Sequence, residues 1–69
     1  MTKDERIIAF GKRVREVRKA KGISQEKLAE LADIDRSYMG NIERGEKNVT
    51  LKKVYEICDA LDVTIGELV

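Results

Sequence analysis

The chain has no histidine, no proline and no tryptophan, and a single cysteine among its 69 residues. Without histidine there is no Ser–His or Cys–His nucleophile system. The lone Cys58 can form neither an internal disulfide nor a metal site by itself. It reads as a small buried apolar residue in a reducing compartment. No apolar run approaches about 18 residues, so no segment reads as a membrane span. The opening stretch Thr2-Lys-Asp-Glu-Arg6 lacks the apolar core of a secretion signal, and a cytoplasmic protein is expected. The glycines at 11, 22, 40, 45 and 66 are dispersed and build no phosphate-cradling loop. Carboxylates are many but scattered among basic residues, and a chain this short allows one domain, residues 1–69, with a small core. An enzyme is not expected, nor a cofactor, a metal or a small-molecule ligand.

Charge of one sign is also scarce: the net charge is +1. Its distribution is uneven. Residues 1–47 hold 12 Lys/Arg against 9 Asp/Glu, whereas residues 48–69 hold 2 against 4. Lys12, Arg13, Arg15, Arg18, Lys19 and Lys21 crowd one segment with only Glu16 against them. A basic front and an acidic back suit a protein that docks one face on a polyanion. A solvated helix face explains the same charges.

One device recurs four times. An apolar residue precedes a capping residue, and a second apolar residue follows five positions after the first. The pairs are Ile23/Leu28 around Ser24, Ile34/Met39 around Asp35, Val49/Val54 around Thr50, and Val63/Leu68 around Thr64. Each is a hydrophobic staple spanning an N-cap, whose side chain accepts from a free N–H of the first turn. Thr2 with Glu5, and Thr64 with Glu67, add capping boxes. Five helices are predicted and no strand, an all-α fold. Helix 1 runs roughly 3–21, with Ile7, Phe10, Val14 and Val17 on one stripe and Gly22 at its end. Helix 2 spans about 25–32 and buries Leu28, Ala29 and Ala32. Helix 3 spans about 36–44 and buries Met39 and Ile42. Helix 4 spans about 51–61 and buries Leu51, Val54, Ile57, Cys58 and Leu61. Helix 5 is the short Ile65–Leu68.

Helices 2 and 3 are separated only by Asp33 and Ile34 before the Asp35 cap. Asp33 is expected in the left-handed conformation, which Asp tolerates better than most residues. Such a tight turn fixes the interhelix angle and presents helix 3 as a rigid probe. On helix 3, residues Arg36, Ser37, Gly40, Asn41 and Arg44 follow one face opposite Met39 and Ile42. A rod of this length fits a DNA major groove. Arg can give two parallel bonds to guanine, Asn can pair both amide edges with adenine, and Ser can donate or accept. Arg36, Ser37 and Asn41 are therefore expected to read bases, with Arg44 on the DNA backbone. Gly40 is unusual in a helix and admits two readings: close approach to DNA, or a tolerated small residue on an exposed face. Gln25, in the first turn of helix 2, sits where free N–H groups favour a phosphate. Tyr38 borders the apolar face, where its ring can pack while its hydroxyl reaches a phosphate. Lys47 and Asn48 follow in an exposed loop, able to grip the backbone or reach a base. Arg18 and Glu43 are expected to pair if their helix ends meet, locking the probe to the body.

The segments Gly22-Ile-Ser-Gln-Glu-Lys-Leu-Ala29, Asp35-Arg-Ser-Tyr-Met39, Ile42-Glu-Arg-Gly45 and Asn48-Val-Thr-Leu51 resemble the XRE family, the Cro/repressor-type helix-turn-helix proteins of bacteria and their phages. The resemblance covers about residues 7–68. It implies a five-helix, lambda-repressor-like domain that uses helices 2 and 3 to bind pseudo-palindromic operators in double-stranded DNA, as a symmetric dimer. Within the family, the stretch from Asp35 to Leu51 looks most like the controller proteins of restriction–modification systems. By that resemblance Arg36, Ser37 and Lys47 would read bases, Gln25, Tyr38 and Asn48 would hold the backbone, and Arg18 with Glu43 matches an internal ion pair. Departures exist: relatives often carry Gly at the Asp33 position, Pro at the Val49 position and an acidic residue at the Lys27 position.

The reading is a sequence-specific transcription regulator. A domain this small is marginal alone, which favours a homodimer. Tyr55, Val63, Ile65, Leu68 and Val69 offer the expected dimer surface. Two-fold symmetry would set the two helix 3 copies about 34 Å apart, one turn of DNA. An antitoxin or phage-type repressor, and a protein-interaction adaptor whose helix 3 grips a protein, are the alternatives.

Overall fold

The computed structural model describes residues 4–69. Among them are five helices and no strand: α1 (Glu5–Ala20), α2 (Gln25–Ala32), α3 (Arg36–Glu43), α4 (Leu51–Leu61) and α5 (Ile65–Leu68). Caps define the starts. Ser24 accepts from the Lys27 N–H, Asp35 from Ser37 and Tyr38, and Thr50 from Lys53. Two expectations at the ends need correcting. Thr2 lies outside the described residues, and α1 is capped instead by Asp4, whose carboxylate accepts from the Arg6 N–H at 2.8 Å. Bonds from the Arg6 side chain and backbone hold this carboxyl below its ordinary range, so the cap is present at neutral pH and is lost on acidification through that lowered pKa. Thr64 makes no side-chain cap bond, so the second capping box is not formed. With four residues, α5 is held by packing rather than by its cap.

The helix ends share one solution. Gly22, Asp33, Gly45 and Asp62 all take positive φ, between 56° and 75°. In each case the next residue's N–H bonds back five positions: Ile23 to Arg18, Ile34 to Ala29, Glu46 to Asn41 and Val63 to Cys58. This is the Schellman closure. Three of those residues, Ile23, Ile34 and Val63, are also the first members of the next helix's staple. One apolar side chain thus closes one helix and anchors the next, which is why the turns are so short.

The core comprises Phe10, Val14 and Val17 of α1, Leu28, Ala29 and Ala32 of α2, Met39 and Ile42 of α3, and Ile57, Cys58 and Leu61 of α4, with Ile34 and Leu68. Cys58 is buried, and burial pushes its thiol up in pKa, which disfavours the reactive thiolate. α2 packs on α3 and α4, α1 packs on α3 and α5, and α5 packs on α4. Leu51 departs from expectation: it is 63% exposed at the first position of α4, and Val54 is half-buried. The α4 stripe begins one turn later than its apolar residues suggest.

Gly11 decides how closely α1 approaches α3. A β-carbon there would lie 2.8 Å from the Glu43 carbonyl oxygen and nearer still to that of Ile42. Both obstacles are backbone, so neither can swing away. Gly11→Ala is expected to destabilise the fold by about 1–3 kcal/mol through overpacking. Urea denaturation measures it; an unchanged midpoint would mean the crossing is looser than this.

Candidate nucleic-acid interface

The site is built from the first turns of α2 and the outer face of α3. Gln25, Arg36, Ser37, Gly40, Asn41 and Arg44 line one open concavity of about 300 Å³. Five of these six come from the face identified along helix 3, and the sixth from the start of helix 2. Eight helical residues give α3 a length of about 12 Å, close to the width of a major groove. The turn behind it is rigid for a stated reason: Asp33 sits at φ 56°, ψ 45°, and Ile34 is buried beneath it.

Arg36 and Ser37 are exposed, and Asn41 is half-exposed. Gly40 is not on an open face, which corrects one of the two readings of it. It is buried beneath its neighbours, and a β-carbon would lie 3.1 Å from an Arg44 Nη and 3.4 Å from Gln25 Oε1. Gly40 lines the concavity, and its missing side chain leaves room for the ends of the Gln25 and Arg44 side chains.

Asn41 is engaged in a way its residue type does not reveal. Arg44 Nη2 donates to the Asn41 amide oxygen, while Arg44 Nε donates to Glu46 Oε1 at 3.2 Å. The Asn41 NH2 has no protein acceptor among the described residues. The amide oxygen keeps a second lone pair, so the bond from Arg44 does not by itself prevent Asn41 from pairing with both edges of adenine.

Behind the face lies a buried polar cluster. Arg18 Nε donates to Glu43 Oε2 at 2.7 Å, and Arg18 Nη2 donates to Oε1 at 3.0 Å. A third guanidinium bond reaches the Ile23 carbonyl at 2.9 Å. The two residues are 8% and 6% exposed. Gln25 Nε2 completes the set, donating to Glu43 Oε1 at 3.1 Å. A carboxylate only accepts, so the Gln25 amide nitrogen must face Glu43 and its oxygen must face Gly40 and the concavity. One glutamate therefore ties α1, α2 and α3 together and orients a residue of the outer face. Sequence reasoning missed the Gln25 link; the two positions are 18 residues apart, and a helix-start glutamine alone gives no hint of it.

The remaining candidates are placed less centrally. Tyr38 is half-buried with its ring against the core. Lys47 is exposed in the loop between α3 and α4. Asn48 lines a different cavity, with Asp4, Arg6, Ile7, Phe10, Val49, Val54 and Val69. Leu68 is withdrawn from the expected dimer surface: it is 2% exposed, its side chain filling the core under α1 and α4. Val63 and Ile65 are half-buried against that core, while Tyr55, Val69 and Leu51 stand exposed. No helix among the described residues is long and apolar enough to cross a membrane.

Comparison with known proteins agrees with this geometry. The helix-turn-helix family model HTH_3 matches residues 14–68. The chain is 44% identical over 69 residues to the control protein C.BamHI of Bacillus amyloliquefaciens, a match covering 99% of this chain and 84% of that one. In structure it is similar to the restriction-modification controller protein C.AhdI from Aeromonas hydrophila, with a TM-score of 0.93 and 47% identity over 96% of this chain and 100% of that chain. It is also similar to C.Esp1396I bound to a 25 base pair operator site, with a TM-score of 0.81 and 32% identity over 86% of this chain and 78% of that chain.

Proposed function

The chain belongs to the helix-turn-helix family, and from that premise we propose that it is a sequence-specific DNA-binding transcription regulator of the restriction–modification controller type, working in the cytoplasm. The observation that carries this is the braced outer face of α3. Arg36, Ser37 and Asn41 are presented to solvent on a helix held from behind by a buried ion pair. Arg36, Ser37, Asn41 and Lys47 are assigned to base edges, and Gln25, Tyr38, Arg44 and Asn48 to the DNA backbone. Gln25 fits its role through the free N–H groups at the start of α2 and through the second hydrogen of its amide nitrogen.

Binding is tested by fluorescence anisotropy. A duplex enriched by this protein from a random library is compared with a shuffled duplex of the same composition. The enriched duplex should bind about 10³-fold or more tightly. Affinity for both should fall steeply with salt, because lysine and arginine displace counterions from phosphates. Equal affinity for the two duplexes would reject a sequence reader. Binding that ignores salt would reject a nucleic-acid partner.

The protein acts as a homodimer in this reading. Leu51 and Tyr55 are one helical turn apart on α4, share a face, and are both exposed. Val69 is exposed as well, and Val63 and Ile65 are half-buried; with Leu51 and Tyr55 these are the residues assigned to the dimer surface once Leu68 is taken into the core. Tyr55→Asp would place a charge in that surface and is expected to turn the dimer into a folded monomer in sedimentation equilibrium. A dimer of unchanged affinity would move the interface elsewhere.

A further inference from the structure

Two exposed carboxylates sit beside the arginines of the outer face. Glu26 Oε1 lies 3.5 Å from Arg36 Nη2, and Glu46 Oε1 lies 3.2 Å from Arg44 Nε. Their placement is unusual for a surface meant to meet a polyanion, since each presents a negative charge where phosphates approach. Neither can be explained as a stability device, because exposed pairs of this kind contribute little to folding. The protein's near-zero net charge fits the same economy of positive potential.

We propose that Glu26 determines specificity by selecting against nonspecific DNA; this rests on the DNA-reading function above. The argument begins with the geometry of guanidinium. Arg36 has five N–H donors, of which two suffice for guanine O6 and N7. The rest remain able to serve Glu26, so the ion pair survives when Arg36 points at a base edge from the first turn of α3. A phosphate contact differs. It draws the guanidinium toward the DNA backbone and away from Glu26, exchanging one anion for another and leaving the carboxylate facing phosphates without its partner. Glu46 does not share this role, because its partner Arg44 is assigned to the DNA backbone and meets phosphate in either binding mode. Binding without base contacts is almost wholly electrostatic, so it bears this penalty in full. Base-specific binding keeps the Glu26–Arg36 pair and largely escapes it.

The test uses Glu26→Gln in the intact chain, with Glu30→Gln as control. Glu30 is an exposed carboxylate of α2, ion-paired to Lys27 and outside the concavity, and its loss changes net charge equally. Dissociation constants are measured for the enriched and shuffled duplexes. Glu26→Gln should bind shuffled DNA about 3- to 10-fold more tightly, the scale of one unit charge at contact distance in water and somewhat below. Affinity for the enriched duplex should change less than about twofold, so discrimination narrows by the difference. Glu30→Gln should leave the ratio unchanged. If wild-type protein itself shows no preference, the DNA-reading function and this inference fall together. If wild-type protein discriminates and Glu26→Gln keeps its ratio, the inference alone fails. A ratio lowered equally by Glu30→Gln also overturns it, since net charge would then be the cause.

Discussion

Glu43→Ala is expected to lower unfolding free energy by roughly 3–5 kcal/mol, the cost of breaking a buried ion pair from one side. A domain of this size has little more than that in total, so the variant should be largely unfolded at room temperature. The loss is large because of what remains. The Arg18 guanidinium stays buried with the Ile23 carbonyl as its surviving protein acceptor, and Gln25 loses its anchor. Glu43→Gln should lose less than Glu43→Ala, since it keeps a carbonyl acceptor, but not nothing, since it turns an NH2 toward donors. Replacing both charges with Arg18→Met and Glu43→Leu should recover much of the stability, because the desolvated charge is removed with its partner. Urea denaturation separates these outcomes. A loss under about 1 kcal/mol for Glu43→Ala would mean the pair is hydrated and the brace is not structural.

Arg36→Ala is expected to weaken binding to the preferred duplex by about 1–3 kcal/mol per half-site, or roughly 5- to 150-fold, compounded over the two halves of a dimer. Binding to shuffled DNA should fall less, by about 3- to 10-fold for one positive charge lost beside Glu26, and its salt slope should drop by about one unit. The variant should fold normally, because Arg36 is exposed and its ion pair with Glu26 is a surface one. Equal losses on both duplexes would make Arg36 a phosphate contact and remove it from the base-reading set.

The helix boundaries were legible in the sequence because they are local chemistry. Ser24, Asp35 and Thr50 cap where their side chains can reach a neighbouring N–H, and the apolar residues around them report the staple. Asp33 was recognisable for the same reason. Asp62 carries the same signal and was passed over: Asp62-Val63-Thr64 repeats the pattern of Asp33-Ile34-Asp35, an Asp, an apolar residue and a cap. The outer face of α3 was also readable, since spacing alone collects residues 36, 37, 40, 41 and 44. What escaped was tertiary. Gly11 matters because another helix's carbonyls come against it, and nothing within α1 announces that. Gln25 meets Glu43 only after α2 and α3 fold over the turn. Leu51 and Leu68 were assigned to the wrong sides because a period of 3.6 does not say where a helix's contacts begin or stop. At the two helix ends, α4 starts beyond its support and α5 tucks its last apolar residue inward.

The claim that α3 is the reading head is tested most directly by following amide chemical shifts of isotope-labelled protein as the preferred duplex is added. The account predicts that the largest changes gather at Gln25, at residues 36, 37, 40, 41 and 44, and at Lys47 in the following loop, with α4 changing little once the dimer is formed. Changes concentrated instead on α4 and the end of α1, with residues 36–44 undisturbed, would contradict it.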